Sequence, residues 1–312
     1  MAFLSSLSAN HRAALLGLAA FGAFATHDVV VKHLGATYSP FQIVFFSALL
    51  SFPLITVVMI RDATPGTLRP VHPRWVLLRS VSGTLSAVLT FYAVSVLPLS
   101  QVYAVLFTAP LLITVMAIPI LGETVRLRRG IAVLVGLIGV FVVLQPGSAP
   151  LTLGHVSALL GATFGALNAI IVRKIGNDER PVVMVLYPMM TNFILMGAFL
   201  PLVYQPVPLA DFGLFAVVAA LVLIAMSILV AAYTRGDAIV VAPMQYSQII
   251  WAAAYGALFF GETLDRWTII GAGIIIASGL YILLREGSGT ASSNQPVLRT
   301  RSRAETGTYP RV

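Results

Sequence analysis

Cysteine is absent from this 312-residue chain, which excludes disulfides, thiolate metal sites and thiol catalysis. Charge is scarce as well: Asp, Glu, Lys and Arg make up 10% of the residues, against roughly 25% in soluble domains. A chain so poor in charge cannot cover a water-facing surface. The five histidines, His11, His27, His33, His72 and His155, show no metal-motif spacing with an acid, and there is no G-x-S-x-G nucleophile turn. No nucleotide-binding motif is present either, which argues against a pump driven by hydrolysis. The ring of charges or carbonyl filter that marks a channel is not visible.

What fills the chain instead is apolar. Hydrophobic residues make up 58% and the mean hydropathy is +0.94. Apolar runs of roughly 20 residues, the length that crosses a bilayer as helix, replace the alternating ten-residue segments of a barrel. The fold class expected is therefore an all-α polytopic membrane protein. Ten transmembrane helices are predicted at 13–34, 41–60, 75–97, 100–120, 130–145, 152–173, 182–203, 210–233, 238–260 and 267–284. The first run is too long for a signal-peptide core and lacks a cleavage site, so it reads as a retained span. Residues 287–312 are polar and aperiodic and read as a disordered cytoplasmic tail.

Ten spans put both termini on one side. If that side is the cytoplasm, 17 of the 19 basic residues fall there and only Lys32 and Arg266 fall outside, in keeping with the positive-inside rule. The expected location is the inner membrane, with both termini cytoplasmic. The net charge of +8 is then explained by anchors facing the headgroups of the lipid bilayer, and no nucleic acid partner is needed.

Two short corners repeat. Gly122-Glu123-Thr124 follows the fourth span and Gly261-Glu262-Thr263 follows the ninth, on opposite faces of the membrane. Earlier, "FGAFATHDVVVKHLGATYSPFQIVFF" matches "FGALNAIIVRKIGNDERPVVMVLY" in its Phe-Gly-Ala, its Lys before a Gly, and the Pro40 or Pro181 that opens the next span. An odd number of helices per copy inverts the second copy. The chain thus divides into a first five-helix repeat, 1–147, and a second, inverted one, 148–286. Solute sites in such proteins lie near the midplane where the halves meet.

The stretch "LPLSQVYAVLFTAPLLITVMAIPILGE", with Pro110 in mid-span and a Gly-Glu corner thirteen residues later, resembles the EamA-type drug/metabolite transporters, over about residues 13–285. The resemblance implies a carrier of small organic solutes whose fourth and ninth spans line a central cavity beside the first, third, sixth and eighth. The second half departs from this pattern: Ile249 stands opposite Pro110.

Polar side chains in the apolar layer need a reason, since a charge there costs at least about 2.5–3.5 kcal/mol. Asp28 and Lys32 are four apart on one helical face, acid before base, which lets them pair. Asp28 with His27 reads as a substrate site or a proton-responsive pair, and Lys32 as part of a structural ion pair near the outer mouth. In the ninth span, Gln248, Trp251 and Tyr255 share a face with Met244, and Gln245 and Tyr246 lie at the same depth. Amides and rings suit a planar, mostly uncharged solute, although such stripes also pack helices. Tyr103 and Phe107 in the fourth span, Asn168 in the sixth, and Tyr92 and Thr90 in the third complete the candidates. Gly22, Gly161, Gly165, Gly271 and Gly273 are expected to let helices approach. Glu123 and Glu262 are expected to fix their corners by pairing with Arg126 and Arg266.

Together these features predict a secondary transporter, not an enzyme. It would move a small-molecule substrate by alternating access and carry no cofactor or metal. An aromatic or heteroaromatic metabolite such as riboflavin or an aromatic amino acid is favoured. A membrane-embedded enzyme and a passive channel are the alternatives. The repeat makes a monomer self-sufficient without requiring one.

Overall fold

The computed structural model describes residues 9–60, 67–122, 127–145, 151–176, 178–236 and 238–287. Helices α1 (Ala9–Gly35), α2 (Pro40–Ile60) and α3 (Pro73–Val96) come first. They are followed by α4 (Leu99–Leu106), α5 (Ala109–Leu121) and α6 (Leu127–Leu144). Then come α7 (Leu153–Ile175), α8 (Pro181–Val203), α9 (Leu209–Arg235), the short α10 (Ala238–Val241) and a 3-10 turn, Ala242–Ser247. Helices α11 (Gln248–Phe260) and α12 (Arg266–Gly287) close the order. No strand occurs among the described residues. Six stretches are long and apolar enough to cross a membrane, one of them α4 and α5 taken together, and shorter apolar helices accompany them.

The fourth and ninth expected spans are not continuous helices. Pro110 has no N–H to return to the Leu106 carbonyl, and the helix is interrupted at Phe107 and Thr108. The other interruption is the 3-10 turn, which contains Pro243. It lies earlier than Ile249, the residue opposite Pro110 in the sequence comparison, so the two breaks need not share one proline position. Both stretches end alike. Gly122 and Gly261 take the left-handed conformation, with φ of 70° and 64°. A methyl group would meet nothing within 4 Å of either, so glycine is required there by the backbone angle rather than by space. Glu123 and Arg126, and the tail beyond 287, lie outside the described residues.

Helix α1 packs along α9, α3 along α7, α2 along α8 and α6 along α12. Helix ends and loops are tied by polar bonds, among them the reciprocal amide bonds of Gln42 with the Gln205 backbone, at 2.7 and 2.9 Å. In the turn after α1, the Tyr38 hydroxyl donates to Asp211, and that bond pushes the phenol up to about 12. Thr84 donates to Asn192 at 2.5 Å, which makes Asn192 a tie between α3 and α8.

The α6–α12 contact brings backbone against backbone. A methyl group on Gly271 would lie 2.5 Å from Val143 Cγ2 and 2.6 Å from the Gly139 carbonyl oxygen, whereas one on Gly273 would meet nothing within 4 Å. Gly273 therefore does not serve the close approach expected of it. Gly271→Ala must push the two helices apart, an overpacking cost of about 1–3 kcal/mol. In detergent its thermal midpoint should fall by several degrees while Gly273→Ala leaves it unchanged; equal midpoints would refute this reading of the contact.

Candidate functional site

A cavity of about 190 Å³ lies where α1, α3, α4, α7, α9 and the Gln245–Gln248 stretch converge. One wall exists because side chains are missing from it. Gly161, Gly165 and Ala169 recur every four residues along α7, with Ala162 and Ala166 beside them, and all five line the cavity. Opposite, Ser86, Thr90 and Phe91 face in from α3. Ser86 donates to the Gly161 carbonyl at 2.9 Å, and a methyl on Gly161 would lie 2.7 Å from the Thr90 hydroxyl. Phe24, Phe107 and Met226 add apolar lining.

The polar chemistry gathers on α1 and α4. Asp28 is 2% exposed and His27 3%, and His27 Nδ1 lies 2.7 Å from Asp28 Oδ1. The Tyr103 hydroxyl donates to Asp28 Oδ2. A buried carboxylate needs donors, and here each oxygen has one. This fixes the imidazole tautomer, since an N–H on Nδ1 is what the carboxylate binds. Nε2, the other ring nitrogen of His27, is buried with no hydrogen-bond partner among the described residues, and His27 lines the cavity. Gln248 shares that position: it lines the cavity, and its Nε2 is buried with no hydrogen-bond partner among the described residues.

Of the eleven candidate site residues singled out from sequence, six line the cavity: Gln245, Gln248, Tyr103, Phe107, His27 and Thr90. Asp28 stands directly behind them, held by His27 and Tyr103. Four lie elsewhere. The Trp251 indole packs over Gly22 of α1, 3.3 Å from where a Cβ would sit, and 5.9 Å from the Tyr255 ring. Tyr246 sets its ring 5.1 Å from Phe107 and its hydroxyl against Gly279 of α12. Asn168 is buried next to Gly83 of α3. The Tyr92 carbonyl accepts from the Ser95 hydroxyl at 2.8 Å. Sequence reasoning missed Ser86, Phe24, Phe91 and Met226. The four-residue spacing of Ser86 and Thr90, facing a stripe of small residues, was the available signal.

One helical turn past Asp28, Lys32 does not make its expected pair. Its ammonium lies 2.7 Å from Glu262 and donates to the carbonyls of Leu97 at 2.5 Å and Val94 at 3.3 Å. It also lies 5.2 Å from the centre of the Phe260 ring. Glu262 Oε2 accepts the Leu99 amide at 2.9 Å. The reason is helix-end chemistry: the last carbonyls of α3 and the first amide of α4 have no partners in their own helices, and this ion pair supplies both. Arg266, the partner expected for Glu262, lies over Trp267 instead. One lysine and one glutamate thus fasten α1, α3, α4 and the corner after α11 at one end of the bundle.

The EamA-like transporter family model matches this chain twice, over residues 11–145 and 152–284. The pseudopaline exporter CntI of Pseudomonas aeruginosa is 28% identical over 88% of this chain and 96% of its own length. The S-adenosylmethionine uptake transporter of Rickettsia bellii is 24% identical over 83% of this chain and 89% of that one. The riboflavin transporter of Rhizobium johnstonii is 26% identical over 71% and 74%. A crystal structure 16% identical in sequence covers 89% of this chain with a TM-score of 0.58, which supports the fold alone. With its apolar helices and its two matches to one family model, the chain is a multi-pass membrane protein and belongs to the EamA-like transporter family.

Proposed function

We propose that this protein is a secondary carrier of a small organic metabolite. In this reading ten spans form two inverted five-helix repeats, 1–147 and 148–286, in an inner membrane with both termini cytoplasmic. The carrying observation is the cavity wall, where an imidazole nitrogen and an amide nitrogen stand without partners among aromatic rings. Rings offer faces for stacking, and the two nitrogens offer directional bonds. That combination favours an aromatic or heteroaromatic solute. Relatives named as riboflavin and S-adenosylmethionine transporters support the same class.

Helix pairing supports the inverted repeat. Exchanging the first five spans with the last five turns the α1–α9 contact into the α7–α3 contact, and both are among the most extensive in the bundle. Alternating access then amounts to rocking one half against the other about the cavity. In this reading the Lys32–Glu262 cluster, which ties α1, α3, α4 and the corner after α11 together, acts as the gate on one side of the cavity.

The test is counterflow in vesicles reconstituted with the full chain, using labelled riboflavin and labelled tryptophan. Preloading with unlabelled solute should accelerate entry of the label. Gln248→Ala removes a donor from the wall, at about 1–1.5 kcal/mol, and should raise the half-saturating concentration about tenfold. Flux without trans-stimulation would favour the channel alternative, and an unchanged half-saturation in Gln248→Ala would remove the cavity from the proposal.

A further inference from the structure

We infer, resting on the carrier reading above, that His27 is a proton-exchange site and that the solute carries a cationic, hydrogen-donating group, such as a protonated amine, which takes the proton's place there. Both Asp28 oxygens are engaged by donors, His27 Nδ1 and the Tyr103 hydroxyl. The carboxylate is therefore an acceptor and puts a negative charge behind the cavity wall. Among the lining residues, His27 is the one side chain that can answer it with a positive charge. The next cation on α1, Lys32, is committed to Glu262 and two carbonyls.

Among the described residues, the groups that line the cavity around His27 from other elements offer no further charge. Helix α3 presents the Phe91 ring, 5.7 Å away, with the hydroxyls of Ser86 and Thr90, and α9 presents Met226. The 3-10 turn and α11 present the amides of Gln245 and Gln248. Helix α4 presents Tyr103. The Tyr255 hydroxyl is bonded to Thr26 at 3.2 Å.

A net charge in the apolar layer is expensive, and two arrangements at His27 balance the Asp28 charge. A proton on Nε2 makes the pair neutral. Alternatively, a cation in the cavity donates to the Nε2 lone pair of the neutral imidazole. Both at once would set two cations side by side against one carboxylate, which like-charge repulsion disfavours. The two states therefore exclude each other. On binding, the Nε2–H proton leaves to water as an N–H of the solute takes the vacated lone pair. One positive charge enters the site for each that leaves, and no electrons move. Gln248 Nε2, a donor, is left to hold an acceptor atom elsewhere on the solute.

The test uses three probes that share a ring and differ in charge: tryptamine, indole and indole-3-propionate. Each is titrated calorimetrically into the purified full chain between pH 5.5 and 8, in two buffers of different ionisation enthalpy, so that protons are counted. Tryptamine binding should release about one proton at the acid end and weaken there by about tenfold per pH unit, as direct competition requires. Indole should bind without proton exchange. In His27→Gln, tryptamine binding should lose both the proton release and the pH dependence, and the wild-type proton count stands even if that variant misfolds. Tryptamine bound without proton release, or indole-3-propionate bound with proton uptake, overturns the inference. If indole binds in either of these cases, the cavity reading survives. If none of the three binds to folded protein, both readings fall.

Discussion

Lys32→Met should open one end of the bundle and raise cavity access from that side by about tenfold or more. The chain has no cysteine, so Ala87→Cys, on the cavity wall, is a single reporter for a membrane-impermeant maleimide. Lys32 and Glu262 side chains are 12% and 15% exposed, and removing one partner of a buried pair costs about 3–5 kcal/mol. That loss falls on the closed arrangement, where the pair joins α1, the end of α3 and the start of α4. A bias of 1.4 kcal/mol already shifts a two-state population about tenfold. The double variant Lys32→Met/Glu262→Gln separates gating from stability. It leaves no unpaired buried charge, so its thermal midpoint should recover most of what the single variant loses, while labelling stays fast. If Lys32→Met labels at the wild-type rate from both faces, the cluster is a structural tie and not a gate.

Much of the fold was legible because long apolar runs are a strong signal. The expected spans 152–173, 182–203 and 210–233 correspond to α7, α8 and α9 within two residues at each end. What hydropathy could not convey is local backbone conformation. The break at Phe107–Thr108 lies in a stretch of high hydropathy and only Pro110 hints at it, while at Ala242–Ser247 Pro243 and the polar Gln245 and Ser247 read as site chemistry rather than as a change of backbone. The site was half legible. Polar residues in apolar surroundings pointed to His27, Gln248 and Tyr103, but not to the direction each faces. A regular helix puts Gln248 and Trp251 on a common face. Yet Gln248 lines the cavity and Trp251 covers Gly22, because α11 packs against both α1 and α4 and residues one turn apart on it meet different surroundings. Lys32 went to Glu262 rather than Asp28 because tertiary partners, unpaired helix ends among them, outweigh an i, i+4 pair worth a few tenths of a kcal/mol. The small-residue stripe on α7 was read as a packing surface. It is one, against Thr90, but it is also the hollow of the cavity.

Asp28→Asn should leave a folded protein that transports about a hundredfold more slowly. The substitution is nearly isosteric and keeps one acceptor oxygen, which the Tyr103 hydroxyl can use. The amide nitrogen is a donor, however, and cannot accept from His27 Nδ1–H. A neutral imidazole then moves its proton, so that Nδ1 accepts and Nε2 carries the hydrogen. The nitrogen that faces the cavity changes from acceptor to donor, and the negative charge behind it is gone. Losing a charge-assisted bond of about 1.5–3 kcal/mol and leaving the solute's donor unpaired at about 1–3 kcal/mol together give a hundredfold or more. Asp28→Ala should do worse on stability, because the Tyr103 hydroxyl and His27 Nδ1 both lose their buried acceptor. Tyr103→Phe should fall between wild type and Asp28→Asn, since it removes one donor from the carboxylate and leaves the imidazole tautomer unchanged. Initial counterflow rates set beside thermal midpoints resolve the series. Transport by Asp28→Asn within a few-fold of wild type, at an equal midpoint, would show that the polarity of His27 Nε2 does not matter to the solute and would dismiss this triad from the binding site.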